Sequence, residues 1–227
     1  MWIIGLTGAI GAGKSRVSNC FEQMGIPTHC SDNFIHFLFN NDSEVQQKVM
    51  ALWPSVFVDG KIDRILLGEK VLSSADDLAQ LERILYPKLA EDQKKFIKIN
   101  QYNKEPYVVL DIPLLFEVGL DLYCDYVILI SSPPSLRKQR VMGRKGMTDQ
   151  KFFTLENLQM KDLERRKKSD IILYTGRDKG YPLRMIRKII FALSQRPIPK
   201  WQGKWPKNLI RRPHESRNCF RHGNNRV

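Results

Sequence analysis

Trp2, Ile3, Ile4 and Leu6 form a short apolar run that ends in a glycine-rich turn, a pattern that predicts a buried strand over residues 1–7. Beyond the turn, Val17, Cys20, Phe21 and Met24 recur at helical spacing, and Gly25 followed by Pro27 stops the helix. An extended stretch over residues 26–30 leads to Ser31 and Asp32, either of which can cap a helix through Phe34, Phe37 and Leu38. From Asp42 to about Asn100 the pattern is mostly helical, with one Asp59-Gly60 turn and no convincing strand pair. Runs apolar on both faces return at 107–112 and 126–131, as in the centre of a parallel sheet. Between them lies a loop over 113–119. Helices are predicted over 135–144, 149–168 and 181–194, with a further strand at 170–174. This alternation predicts an α/β fold, a doubly wound parallel sheet with right-handed crossovers, interrupted by a helical insertion at about 34–100.

Beyond Arg196 no period survives: Pro197, Pro199, Pro206 and Pro213 are scattered among basic residues with Trp201 and Trp205. Residues 197–227 are therefore expected to form a flexible tail on a domain of residues 1–196. The formal net charge of +13 points to anionic partners, but residues 196–227 hold nine Lys and Arg against Glu215 alone, so +8 of it lies there. The remaining +5 is ordinary for a phosphate-binding protein. No apolar run approaches the ~20 residues of a membrane-spanning helix, and the first apolar run is too short for a signal peptide. A soluble cytoplasmic protein is the expectation. Cys20, Cys30, Cys124 and Cys219 form no C-x-x-C, and the four histidines show no metal spacing, so reduced thiols and no zinc site are expected.

The turn after the first strand carries the chemistry. Gly8-Ala9-Ile10-Gly11-Ala12-Gly13-Lys14-Ser15 satisfies G-x-x-x-x-G-K-[ST] in full, between a predicted strand and a predicted helix. Glycines let backbone N–H groups turn inward around phosphate oxygens, and the helix N-terminus adds partial positive charge. Lys14 is expected to span the β- and γ-phosphates of ATP, and the Ser15 hydroxyl to ligate Mg²⁺. Asp32, just past the second strand, projects from the same sheet edge and is a candidate base for an attacking hydroxyl, with a plain helix cap as the alternative. Asp111 ends the next strand, where it could bind a metal-bound water or pair with the phosphate loop. Arg137, Arg140 and Arg144 recur along one helix face, either as a solvated basic face or as a lid, at about 134–165, that closes over the transferred phosphoryl group.

These residues resemble the dephospho-coenzyme A kinase family over roughly residues 3–194. Ile4-Gly5-Leu6-Thr7-Gly8 and the loop after it look like the family's opening. Asp59-Gly60-Lys61-Ile62-Asp63-Arg64 is similar to its D-G-x-L-D-R, and Leu81-Glu82 with Tyr86-Pro87 to its L-E-x-I-x-H-P. Asp111-Ile112-Pro113-Leu114-Leu115-Phe116-Glu117 resembles D-V-P-L-L-F-E, and Gln159 and Ser169-Asp170 fall in the later family segments. Cys30 stands where the family usually has an aspartate, His36 where it has an arginine, Tyr86 for a histidine, Arg16 for a threonine and Thr175 for an asparagine.

The resemblance implies a P-loop kinase fold whose helical insertion holds the acceptor, dephospho-coenzyme A, and whose lid excludes water. It implies ATP as phosphoryl donor with Mg²⁺, Asp32 as base, and Arg140 as the contact to the transferred phosphate beside Lys14. Residues 8–16 and Arg144 are implied at ATP, and Asp32, Arg64, Pro113, Leu114, Leu115 and Glu117 at the acceptor. The rival readings are another small-molecule P-loop kinase, of nucleoside or shikimate type, and a nucleic-acid-binding NTPase using the basic tail. No helicase-like or N-K-x-D motif accompanies the loop, which argues against the last. Nothing in the sequence supports or excludes a homo-oligomer.

Overall fold

The computed structural model describes residues 1–144, 146–176, 178 and 180–211. Strands β1 (Trp2–Gly8), β2 (Thr28–Cys30), β5 (Tyr107–Asp111), β6 (Tyr126–Ser131) and β7 (Ile171–Tyr174) pair in parallel in the order β2-β5-β1-β6-β7. The doubly wound α/β architecture is as the alternation predicts. Successive side chains of a strand point to opposite faces, and the core divides accordingly. Ile4, Leu6, Val109, Ile128 and Ile130 pack with Val17 and Phe21 of α1 (Lys14–Gln23) and Ile186 and Ile189 of α9 (Tyr181–Ser194). Ile3, Val108, Leu110 and Val127 face the other way, against the insertion.

The insertion consists of α2 (Ser31–Asn41), α3 (Ser43–Leu52), α4 (Arg64–Leu72) and α5 (Ala75–Tyr102), the last a 28-residue helix that accommodates Pro87 in its interior. One expectation fails here. The Asp59-Gly60 turn joins a short antiparallel pair, β3 (Phe57–Val58) and β4 (Lys61–Ile62), because Asp59 and Gly60 both take positive φ (49° and 73°). That conformation matches the twist of two-residue hairpins. Two strands of two residues each lie below what alternation can reveal.

A second difference lies in the region expected to form a lid. The helix expected over 149–168 is broken into α7 (Asp149–Asn157) and α8 (Asp162–Lys168), following α6 (Pro134–Met142). The break at 158–161 carries Gln159 and Met160, whose bonds lie at the site described below.

The third concerns the expected flexible tail. Residues 197–211 lie on the domain without regular secondary structure: Trp205 and Leu209 are 5% and 3% exposed and join the core cluster of the insertion face. The Trp205 ring meets Tyr123 edge-on at 5.6 Å, the Met1 ammonium donates to the Pro199 carbonyl at 2.8 Å, and Arg211 pairs with Glu82 of α5. Each of Trp201, Trp205 and Leu209 packs individually, so no period announces the burial. The expectation for residues 212–227 lies outside the described residues.

Candidate active site

The loop after β1 sits at the centre of the sheet, because β1 lies between β5 and β6 and its carboxyl end opens where the chain connections diverge to opposite sides. Two glycines allow its shape. Gly11 has φ of 76°, and a Cβ there would fall 2.5 Å from the Arg137 carbonyl oxygen; Gly13 has φ of 89° and lies against Thr175 and Arg140. Any other residue would be strained and would push α6 off the loop. Lys14 opens α1 and forms an ion pair with Asp111 at the end of β5. Burial pushes the Asp111 carboxyl up, opposed by the Lys14 charge and by a hydrogen bond from the Ser18 hydroxyl. Asp111 is thus a partner of the loop lysine, one of the two roles its position allowed. Ser15, next along, is exposed at the helix N-terminus, as is Arg16.

Residues that sequence spacing did not single out hold the loop. Gln159 Oε1 accepts from the Ile10 amide at 2.9 Å while its Nε2 donates to the Gly8 carbonyl at 3.4 Å. Thr175 donates to the Ala12 carbonyl. Gln159 and Thr175 were visible only through the family resemblance, and nothing in the sequence marks Ser18 or Ser132. Polar residues that act on backbone atoms 150 positions away leave no local pattern.

Arg137, Arg140 and Arg144 do not share one environment. Arg137 is buried and paired with Glu156 at 2.7 Å. Arg140 Nη1 donates to the Gly11 carbonyl at 3.2 Å, Thr175 Oγ1 at 3.2 Å and Ser132 Oγ at 3.4 Å, so it grips the loop from outside. Arg144 is exposed. A shared basic face is therefore absent, because packing of α6 on the loop buries one side of that helix.

On the acceptor side, β2 pairs with β5 with Cys30 opposite Asp111, which sets Asp32 in the first turn of α2 beside the buried Asp111–Lys14 pair. Asp32 is exposed, and its charge is felt by both Asp111 and Cys30. Burial pushes the Cys30 thiol up, with the neighbouring carboxylates adding to the effect. Asp63 caps α4 by accepting from the Ile65 and Leu66 amides at 2.7 and 3.1 Å, and this fixes the root of the exposed Arg64. Arg64 reaches His36 on α2. Pro113 and Leu114 are half-buried beyond β5, the Pro113 carbonyl accepting from Thr7 Oγ1 at 3.1 Å. Two implied acceptor contacts are corrected. Leu115 is fully buried beneath Gly5, and Glu117 is 3% exposed with Oε1 accepting from the Met160 amide at 2.6 Å. Leu115 thus supports β1 from within, and Glu117 ties this loop to the chain between α7 and α8.

A phosphate loop, a carboxylate at the same edge and a helical insertion beside it describe a small-molecule kinase without naming its family. The family model described as dephospho-CoA kinase matches residues 2–178. The chain belongs to the dephospho-CoA kinase family. It is 33% identical over 197 residues to the dephospho-CoA kinase of Rhodopseudomonas palustris (strain HaA2), covering 87% of this chain and 98% of the relative. With the dephospho-CoA kinase of Mesorhizobium japonicum it shares 39% identity over 176 residues, 78% of this chain and 88% of the relative. The solved dephospho-CoA kinase from Campylobacter jejuni superposes with a TM-score of 0.58 at 25% identity, covering 85% of this chain and 97% of that one. Family membership separates this chain from the nucleoside- and shikimate-type rivals, which share the loop but not the later strings. Among the described residues no helix is long and apolar enough to cross a membrane, and no cluster of three or more His, Cys, Asp or Glu could hold a metal ion.

Proposed function

We propose that the chain transfers the γ-phosphoryl group of ATP to the ribose 3′-hydroxyl of dephospho-coenzyme A, the last step of coenzyme A assembly, in the cytoplasm. The observation that carries the reading is the convergence of Lys14, Asp111 and Asp32 at the carboxyl edge of β1, β5 and β2. It brings the lysine of the phosphate loop and an exposed carboxylate to one edge of the sheet.

In this reading the loop amides of residues 8–16 receive the phosphates, and Lys14 exchanges its partner Asp111 for the β- and γ-oxygens. Asp32 orients the hydroxyl and takes its proton as the oxygen attacks phosphorus in line and the ADP oxygen departs. Arg140, pressed against Gly13 from outside, adds fixed positive charge to the loop, and Arg144 is left exposed to reach a bound nucleotide. Mg²⁺, when bound, supplies neutralisation of phosphate charge. The exposed Ser15 hydroxyl fits an ion that keeps several waters and takes few protein ligands. Arg64, Pro113 and Leu114 receive the acceptor in this reading, and Leu115 and Glu117 support from within the loop that carries Pro113 and Leu114.

The deciding experiment is an ADP-release assay across acceptors. Turnover with dephospho-coenzyme A far above that with shikimate or nucleosides is the expected outcome, and equal or absent turnover with dephospho-coenzyme A would overturn the reading.

A further inference from the structure

We propose that His36 is a positioning residue of the acceptor site: a neutral imidazole that holds the Arg64 guanidinium one helical turn beyond Asp32 and releases it when protonated. The proposal rests on dephospho-coenzyme A being the acceptor. Asp32 and His36 stand four residues apart on α2, on one face and about 6 Å apart along the axis. Arg64 comes from the first turn of α4, and its Nη1 lies 2.8 Å from His36 Nδ1 and 2.7 Å from Nε2. A single Nη1 that near to both nitrogens of one ring lies along neither in-plane lone pair, so the guanidinium packs against the neutral ring rather than bonding one nitrogen. The imidazolium would set a like charge against it.

The chemistry of the acceptor gives the pair its purpose. Dephospho-coenzyme A presents a 3′-hydroxyl and an anionic 5′-diphosphate on the same ribose. With the hydroxyl at Asp32, the diphosphate falls a ribose's width away, on the order of the one helical turn that separates Asp32 from His36. An exposed arginine loses rotamer freedom when it binds an anion, and a partner that already orients it reduces that loss.

Burial lowers the His36 pKa below its ordinary 6.5, Arg64 lowers it further, and Asp32 on the same helix opposes both. The other elements packed on α2 are α3, α5 and β4, and among the described residues none of them adds a charge that moves the ring. A depressed histidine pKa favours the neutral ring in the folded protein. The Arg64 contact is therefore intact above about pH 6.5 and is lost as pH falls through the lowered value. The diphosphate diester does not titrate in that window.

The test is acceptor saturation from pH 5 to 8 with saturating ATP and Mg²⁺, for the wild type, His36→Gln and Arg64→Met. Both residues are exposed, so the substitutions leave the core intact. The wild-type KM for dephospho-coenzyme A should rise about tenfold on acidification, more than kcat changes. His36→Gln keeps an acceptor oxygen for Arg64 but cannot titrate, so its KM should stay flat; Arg64→Met should show a raised KM at every pH. A flat wild-type KM, or an acid rise preserved in His36→Gln, overturns the role of His36 while the acceptor reading stands. Failure of the wild type to phosphorylate dephospho-coenzyme A at any pH overturns both.

Discussion

Lys14 ends its reach on the buried Asp111 carboxylate, and each charge offsets part of the cost of burying the other. Lys14→Ala removes the loop's mobile charge and strands that carboxylate. Steady-state kinetics should show kcat lowered by at least about 10³-fold. Asp32 is exposed and unburdened by such a partnership, so Asp32→Asn should lower kcat by about 10²–10⁴-fold with the KM for ATP nearly unchanged. Full activity of that variant would remove Asp32 from the role of base. Cys30 stands across the strand pair from Asp111, and burial with neighbouring carboxylates raises its thiol above the ordinary 9.0. Alkylation of Cys30 by iodoacetamide, followed by mass spectrometry, should be slow at pH 7 and accelerate only above that value.

At the scale of elements, the phosphate loop is shaped by what packs on it. Gln159 reaches it because the chain breaks between α7 and α8, and the Glu117 carboxylate fixes the adjacent Met160 amide. Gln159→Ala frees the Ile10 amide, and the KM for ATP should rise about three- to tenfold, in line with the loss of one neutral hydrogen bond. An unchanged KM would show that the loop holds its form without this clamp. The strand–loop–helix opening was legible from residues 1–24 alone, since a buried strand, a complete motif and a capped amphipathic helix are each written locally. The break at 158–161 and the β3–β4 hairpin were not, because the first follows from bonds to a distant loop and the second is too short to show alternation. The three arginines of α6 make the same point. Their spacing is helical as read, but burial of one side of the helix gives each a different partner.

Over the whole molecule, residues 197–211 lash the amino end of β1 to α5. Removing them by truncation after Gln195 uncovers the pockets of Trp205 and Leu209 and leaves Glu82 without Arg211. Urea unfolding should show a stability lower by about 3–6 kcal/mol, the value of two buried large apolar side chains. A midpoint unchanged by the truncation would mean that the segment adds no net stability. The net charge of +13 misdirects here, since a basic, proline-rich stretch reads as solvated while two of its side chains are buried in the core cluster of the insertion face. Trp205, turned into the core against Tyr123, is unavailable to stack on a nucleic acid base.

The sequence by itself determined the fold class, the phosphate loop with Lys14 and Ser15, the edge on which Asp32 and Asp111 lie, and the family, because each depends on local periodicity or on contiguous strings. Only the tertiary structure decided that Asp111 pairs with Lys14, that Arg140 grips the loop from outside, that Leu115 and Glu117 face inward, that His36 meets Arg64, and that Trp205 and Leu209 belong to the core. Those facts arise from groups far apart in the chain whose burial and hydrogen bonding depend on which faces meet. No residue pattern records a meeting of that kind.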